Sequence, residues 1–188
     1  MFGQMRTALG ITKSTDILEH VWSLPTAAEQ DSAMSKIIAI ERAAMAVQTP
    51  QPGLFELMTY LESKSIQKAI CTRNLDGPVD HLLTKFLPGK VFSPIITRTF
   101  RPPKPDPAGI LHIAQSWGLD DGGEGLIMVG DSQDDMEAGR MAGAATVLLV
   151  NEVNEHLGTH PHTDLVVRRL DELIEVLDKG FVSREVEV

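Results

Sequence analysis

Leu126-Ile127-Met128-Val129-Gly130-Asp131-Ser132-Gln133-Asp134-Asp135-Met136-Glu137-Ala138-Gly139-Arg140-Met141-Ala142-Gly143 is the stretch from which the fold is read. Four apolar residues precede a glycine and an acidic segment that runs into a helical pattern, so the order is strand, turn, helix. Gly130 lets the backbone turn sharply. Asp131 then sits at the strand's carboxyl end, with Asp135 near it in the first helical turn. Two close carboxylates repel unless a cation joins them, and hard oxygen donors around a partly hydrated position are what Mg²⁺ requires. The same acids suit helix capping, because Asp is favoured at N-caps and in first turns. Taken alone, the pair leaves both readings open.

Outward from this stretch, short apolar runs alternate with helical stripes from Pro52 onward, the pattern of parallel strands joined by crossover helices. Strands are expected at 68–72, 94–97, 126–129, 146–150 and, more weakly, 164–167. The stripes are Leu54/Leu57/Met58/Leu61, Val79/Leu82/Leu83/Phe86, Ile110/Ile113/Ala114/Trp117 and Leu170/Leu173/Ile174/Leu177, each with one face to bury. Ligands of such sheets bind outside the carboxyl ends of the strands, which makes the residues after each run the functional candidates.

The first fifty residues read as helical only. Ser14 and Thr26 are expected N-caps, Thr26 opening a capping box with Glu29, and Met34, Ile37, Ile38 and Met45 are expected on one face of the second helix. The breaker Pro50-Gln51-Pro52-Gly53 divides a helical module, 1–49, from an α/β core, 50–188. The tail from Ser183 to Val188 carries no motif.

Composition narrows the function classes. Asp and Glu number 26 against 17 Lys and Arg, for a net charge of −9, and no basic block tracks a phosphate backbone, so nucleic acid is not an expected partner. No run approaches the ~20 apolar residues of a membrane span. The single cysteine, Cys71, fits a reducing, cytoplasmic setting, and its place in a strand reads as packing, not nucleophilic chemistry. His156, His160 and His162 read as a solvated loop, because neither a cysteine nor helical spacing supports a zinc cage.

Two more strand ends carry candidates. Thr72, followed by Arg73 and Asn74, supplies a hydroxyl and backbone amides near a helix start, which is anion-binding geometry. Lys104 stands in Arg101-Pro102-Pro103-Lys104-Pro105-Asp106-Pro107, where prolines limit the reach of its ammonium. A fixed ammonium neutralises phosphate and carboxylates alike.

In this order Cys71-Thr72-Arg73-Asn74, Lys104-Pro105-Asp106-Pro107 and the segment from Gly130 to Gly143 resemble the second, third and fourth motifs of the haloacid dehalogenase superfamily, nearest its phosphoglycolate-phosphatase-like branch. Pro52-Gly53-Leu54-Phe55-Glu56-Leu57 is similar to the family's entry into its core, and the helical module resembles its small cap. The resemblance implies a doubly wound, Rossmannoid parallel sheet and a Mg²⁺-dependent phosphatase of a small phosphorylated metabolite. It implies that Thr72, with Arg73 and Asn74, binds the phosphoryl group, that Lys104 neutralises it, and that Asp131 and Asp135 serve the metal. Asp134 would share in the metal shell.

The family's first motif, an apolar strand ending in Asp-x-Asp that carries the nucleophile, has no counterpart in the 188 residues. That strand lies centrally in the family's sheet, between those ending at Thr72 and Asp131. Its absence is expected to leave two strand edges facing a gap, and hence a truncated, poorly active and less stable form. A non-catalytic phosphate-binding or interaction protein is the alternative. A phosphoacceptor signalling domain ranks last, since its acidic pair would follow the first strand.

Overall fold

The computed structural model describes residues 1–181 and forms two compact units, Met1–Thr49 and Pro50–Val188. The tail from Ser183 to Val188 lies outside the described residues.

The first unit holds α1 (Phe2–Leu9), α2 (Ile17–Ser23) and α3 (Ala27–Ala46). Asp16 caps α2, its carboxylate accepting the amides of Leu18 and Glu19, whereas the expected cap Ser14 is engaged with the Thr12 hydroxyl. Two acceptor oxygens one residue from the helix start outcompete a hydroxyl further out. Thr26 and Glu29 form the expected capping box at the start of α3. The buried face of α3 is Ala33, Ile37 and Glu41, a four-residue spacing, and Ile38 stands 38% exposed because it lies about 100° around the helix from Ile37.

In the second unit the order is α4 (Leu54–Ser63), β1 (Ile70–Cys71), α5 (Asp76–Phe86), β2 (Ile95–Ile96), α6 (Ala108–Ser116), β3 (Ile127–Gly130), α7 (Gln133–Met141), β4 (Ala145–Leu149), a 3₁₀ turn (Glu155–Thr159), β5 (Leu165–Val167) and α8 (Glu172–Lys179). Every expected strand is present, the first two trimmed to two residues. All pairings are parallel, as crossover helices require. Side chains alternate across the sheet. Ile127, Val129 and Val147 join Leu57, Met58 and Leu173 on the face covered by α4, α5 and α8, while Met128 packs with Ile110, Ala114 and Ala138 of α6 and α7 on the other. Gly139 allows α7 to lie this close, since a Cβ there would stand 2.8 Å from Met128 and Thr146.

The strands do not form one continuous sheet. Among the described residues, β1 pairs only with β2, and β3, β4 and β5 make a separate sheet in which β3 is an edge. The unpaired edges of β1 and β3 border one apolar cavity of about 630 Å³, walled by Met58, Leu61 and Leu173 on one side and Ile110, Ile113 and Trp117 on the other. A β-strand residue inside a sandwich occupies ~3.3 Å by ~4.8 Å by ~10 Å, or ~160 Å³, so the cavity matches about four residues of extended chain. Among the described residues, no helix is long and apolar enough to cross a membrane.

Candidate functional site

Three loops meet at the carboxyl ends of β1 and β3, and Lys104 joins them. Lys104 is 8% exposed, and its ammonium donates to the Cys71 carbonyl and to Asp135 Oδ1, both at 2.5 Å. The flanking prolines therefore aim the Lys104 ammonium across the end of the cleft between the two sheets.

Asp135 has no oxygen to spare. While Oδ1 receives Lys104, Oδ2 accepts the amides of Asp131 and Ser132 at 3.1 Å and the Ser132 hydroxyl at 2.7 Å, and the Ser132 hydroxyl accepts the Asp135 amide in return. It is at once the N3 member of a capping box and the partner of a buried ammonium. Gly130 makes room for it, because a Cβ on Gly130 would fall 2.4 Å from the Asp135 side chain.

Asp131 differs. Its side chain reaches solvent, and among the described residues its carboxylate has no side-chain donor. Desolvation by the surrounding protein, then the negative charge of Asp135, raise its pKa, while its own backbone amide and Lys104 pull the other way. Asn154, beyond β4, holds the Asp131 backbone by donating from Nδ2 to the Asp131 carbonyl at 2.8 Å and to Leu149 at 3.1 Å. The sequence reading passed over Asn154. Its one signal is its place in the loop that follows β4, on the carboxyl-end side of the sheet.

Thr72 lies one residue past β1. Its amide donates to Ile96 and its Oγ1 accepts the Asn74 amide at 3.1 Å, so the hydroxyl proton remains to be given elsewhere. Among the described residues the Asn74 Oδ1 is buried without a hydrogen-bond partner; as an acceptor it calls for a donor, not for a phosphoryl oxygen. Arg73 forms an ion pair with Asp134, which ties the β1 loop to the start of α7. Arg98, 6% exposed and also passed over by the sequence reading, clamps the same loop from β2 through the Arg73 carbonyl and the Asn74 carbonyl. The Cys71 thiol is pushed up by burial, in keeping with a packing part.

The raised Asp131 gives a prediction with a definite sign. A carboxyl whose folded pKa exceeds its unfolded value adds stability below the unfolded pKa and loses it as pH rises through the folded one. In metal-free protein, Asp131→Asn is expected to be more stable than the parent at pH 7, with the gap closing towards pH 4. Urea denaturation at both values measures it, and a variant less stable at pH 7 would contradict the assignment.

The chain matches the family model described as haloacid dehalogenase-like hydrolase over residues 7–149. It is 45% identical over 181 residues to the uncharacterized hydrolase YOR131C of Saccharomyces cerevisiae, covering 95% of this chain and 82% of that protein. It is also 31% identical over 99 residues to the phosphoglycolate phosphatase of Pseudomonas savastanoi pv. phaseolicola, covering 52% of this chain and only 36% of that enzyme. Among solved structures, a predicted phosphoglycolate phosphatase from Haemophilus somnus 129pt superposes with a TM-score of 0.68 at 17% identity, over 85% of this chain and 71% of that one. The motif-bearing loops, the parallel strands and these matches agree: the chain belongs to the haloacid dehalogenase-like hydrolase family.

Proposed function

We propose that this chain is the phosphate- and metal-holding body of a Mg²⁺-dependent phosphatase acting on a small phosphorylated metabolite. The observation that carries the reading is the buried Lys104, held between β1 and α7 at the mouth of the inter-sheet cleft. The Thr72 hydroxyl and the loop amides would donate to a phosphoryl oxygen, and Lys104 would offset its charge. Arg73, paired with Asp134, would fix the loop beneath it.

The donors fit a hard cation: Asp131 presents a carboxylate without a side-chain partner, and Asp135 sets the Asp131 backbone. Asp131 would thus be the direct ligand and Asp135 its support. Bound Mg²⁺ would supply charge neutralisation at the transferring phosphoryl group. In the same reading the helical unit Met1–Thr49 acts as the specificity cap, and the single Cys71 suits a cytoplasmic setting.

No Asp-x-Asp pair occurs in the sequence, which favours a second reading, a phosphate-binding protein without turnover. Incubation with p-nitrophenyl phosphate and Mg²⁺ separates the two. Hydrolysis that is abolished in Asp131→Ala supports a phosphatase. Phosphate binding by calorimetry without hydrolysis, even when the inter-sheet cleft is filled, supports the second.

A further inference from the structure

Away from the phosphate site, Glu137 on α7 and His160 and His162 before β5 place one potential ligand atom each within 4.8 Å of one another. All three are half-buried. Glu137 follows Asp135 by two residues, about 200° around the helix, so the two acids occupy opposite faces of α7. The cluster is therefore separate from the Lys104 network.

The local chemistry is prepared for a cation. The His160 and His162 rings stand 5.1 Å apart, edge to face. The His162 carbonyl receives the Thr146 hydroxyl at 2.5 Å and the His160 carbonyl receives the Thr163 amide, which anchors the loop to β4 and to itself. His160 Nδ1 accepts the His162 amide at 3.2 Å, a contact that orients the ring and that coordination through either ring nitrogen would have to give up. Among the described residues, His162 Nδ1 is buried with no hydrogen-bond partner, an unsatisfied polar atom that coordination would relieve. Gln133 donates to Glu137 Oε1 at 2.6 Å and orients the carboxylate, leaving Oε2 available. Arg140, one turn along, is neutralised by the buried Asp164 and does not repel a cation.

From these contacts we propose that Glu137, His160 and His162 bind one transition-metal dication, with zinc the ion the donors favour. Two imidazoles and a carboxylate with an open position form a common zinc set, and imidazole nitrogen discriminates against Mg²⁺. Tetrahedral ligands at ~2.0–2.2 Å from an ion lie ~3.3–3.6 Å apart, so closure from within 4.8 Å needs movements of up to about 1.5 Å. His156 takes no part. The third donor comes from a helix more than twenty residues earlier, which is why the loop alone gave no zinc spacing.

The test is titration of metal-free full chain with ZnCl₂ by calorimetry and thermal unfolding, with MgCl₂ in parallel. One zinc per chain is expected, with a rise in Tm that Mg²⁺ does not reproduce, and with perturbed His160 and His162 ring resonances. Glu137→Gln and His160→Ala should each weaken uptake at least tenfold while leaving the metal-free Tm and circular dichroism close to the parent. Asp131→Asn should leave zinc uptake unchanged. Absence of stoichiometric uptake, uptake indifferent to Glu137→Gln and His160→Ala, or uptake lost in Asp131→Asn would each overturn the proposal.

Discussion

Replacing Lys104 with Met is expected to cost about 3–5 kcal/mol of stability, because it leaves Asp135 charged and buried without its cation. Met keeps much of the side chain's volume, so the loss reports charge and hydrogen bonding more than packing. For 188 residues each kcal/mol corresponds to roughly 2–4 °C in Tm, so a fall of about 10 °C is anticipated. The Cys71 carbonyl also loses its donor, and the join between β1 and α7 opens. Adding Asp135→Asn should recover part of the loss, since the amide keeps an acceptor for the Asp131 and Ser132 amides while removing the stranded charge. Denaturant unfolding of the single and double variants measures both effects. A single-variant loss below about 1 kcal/mol would show that the pair is too well solvated to organise the site.

The second large effect is expected from filling the cleft between β1 and β3. The two strands run parallel to their partners and leave one edge each unpaired on the same cavity. An added strand would gain backbone hydrogen bonds on both sides, and its side chains would meet α4 and α8 on one face and α6 on the other. That environment selects an uninterrupted run of apolar, β-branched residues. A synthetic peptide of four such residues followed by Asp-x-Asp should bind with its carboxyl end beside Lys104 and Thr72. At a hundred times its dissociation constant it would add about 2.7 kcal/mol, or a rise in Tm of roughly 5–10 °C. On the phosphatase reading it should also bring Mg²⁺-dependent hydrolysis of p-nitrophenyl phosphate from background to a measurable rate, and Asn in place of the first Asp should remove that rate while keeping the thermal shift. Trp117, which lines the cavity and donates to the Ser93 carbonyl at 2.7 Å, is a fluorescence reporter of occupancy. A peptide interrupted by proline that bound equally well would reduce the effect to apolar adsorption, because proline lacks the amide that a ladder needs.

These two effects draw on different parts of the molecule's legibility. The stripe of α4, the strand at β3 and the turn at Gly130 are written in local spacing, because helix and strand periods depend on neighbours a few residues apart. The motif residues Thr72, Lys104 and Asp131 were visible for the same reason, each standing just past an apolar run or inside a proline-stiffened loop. Local pattern could err by small displacements, as when Asp16 took the cap expected of Ser14 and Ile38 turned outward from the seam of α3.

By itself, then, the sequence determined the parallel α/β core, the helical unit ahead of it and the identity of the residues at the strand ends. Tertiary structure alone decided their partners. Asp135, held locally by Ser132 and the Asp131 amide, takes Lys104 from 31 residues away, Arg73 is joined to Asp134 across 61 residues, and Asn154 secures the Asp131 backbone. Glu137 meets two histidines that no local spacing connects to it. The physical reason is range: periodicity fixes which face a side chain takes, whereas hydrogen bonds and coordination act within a few ångströms between groups that only packing brings together.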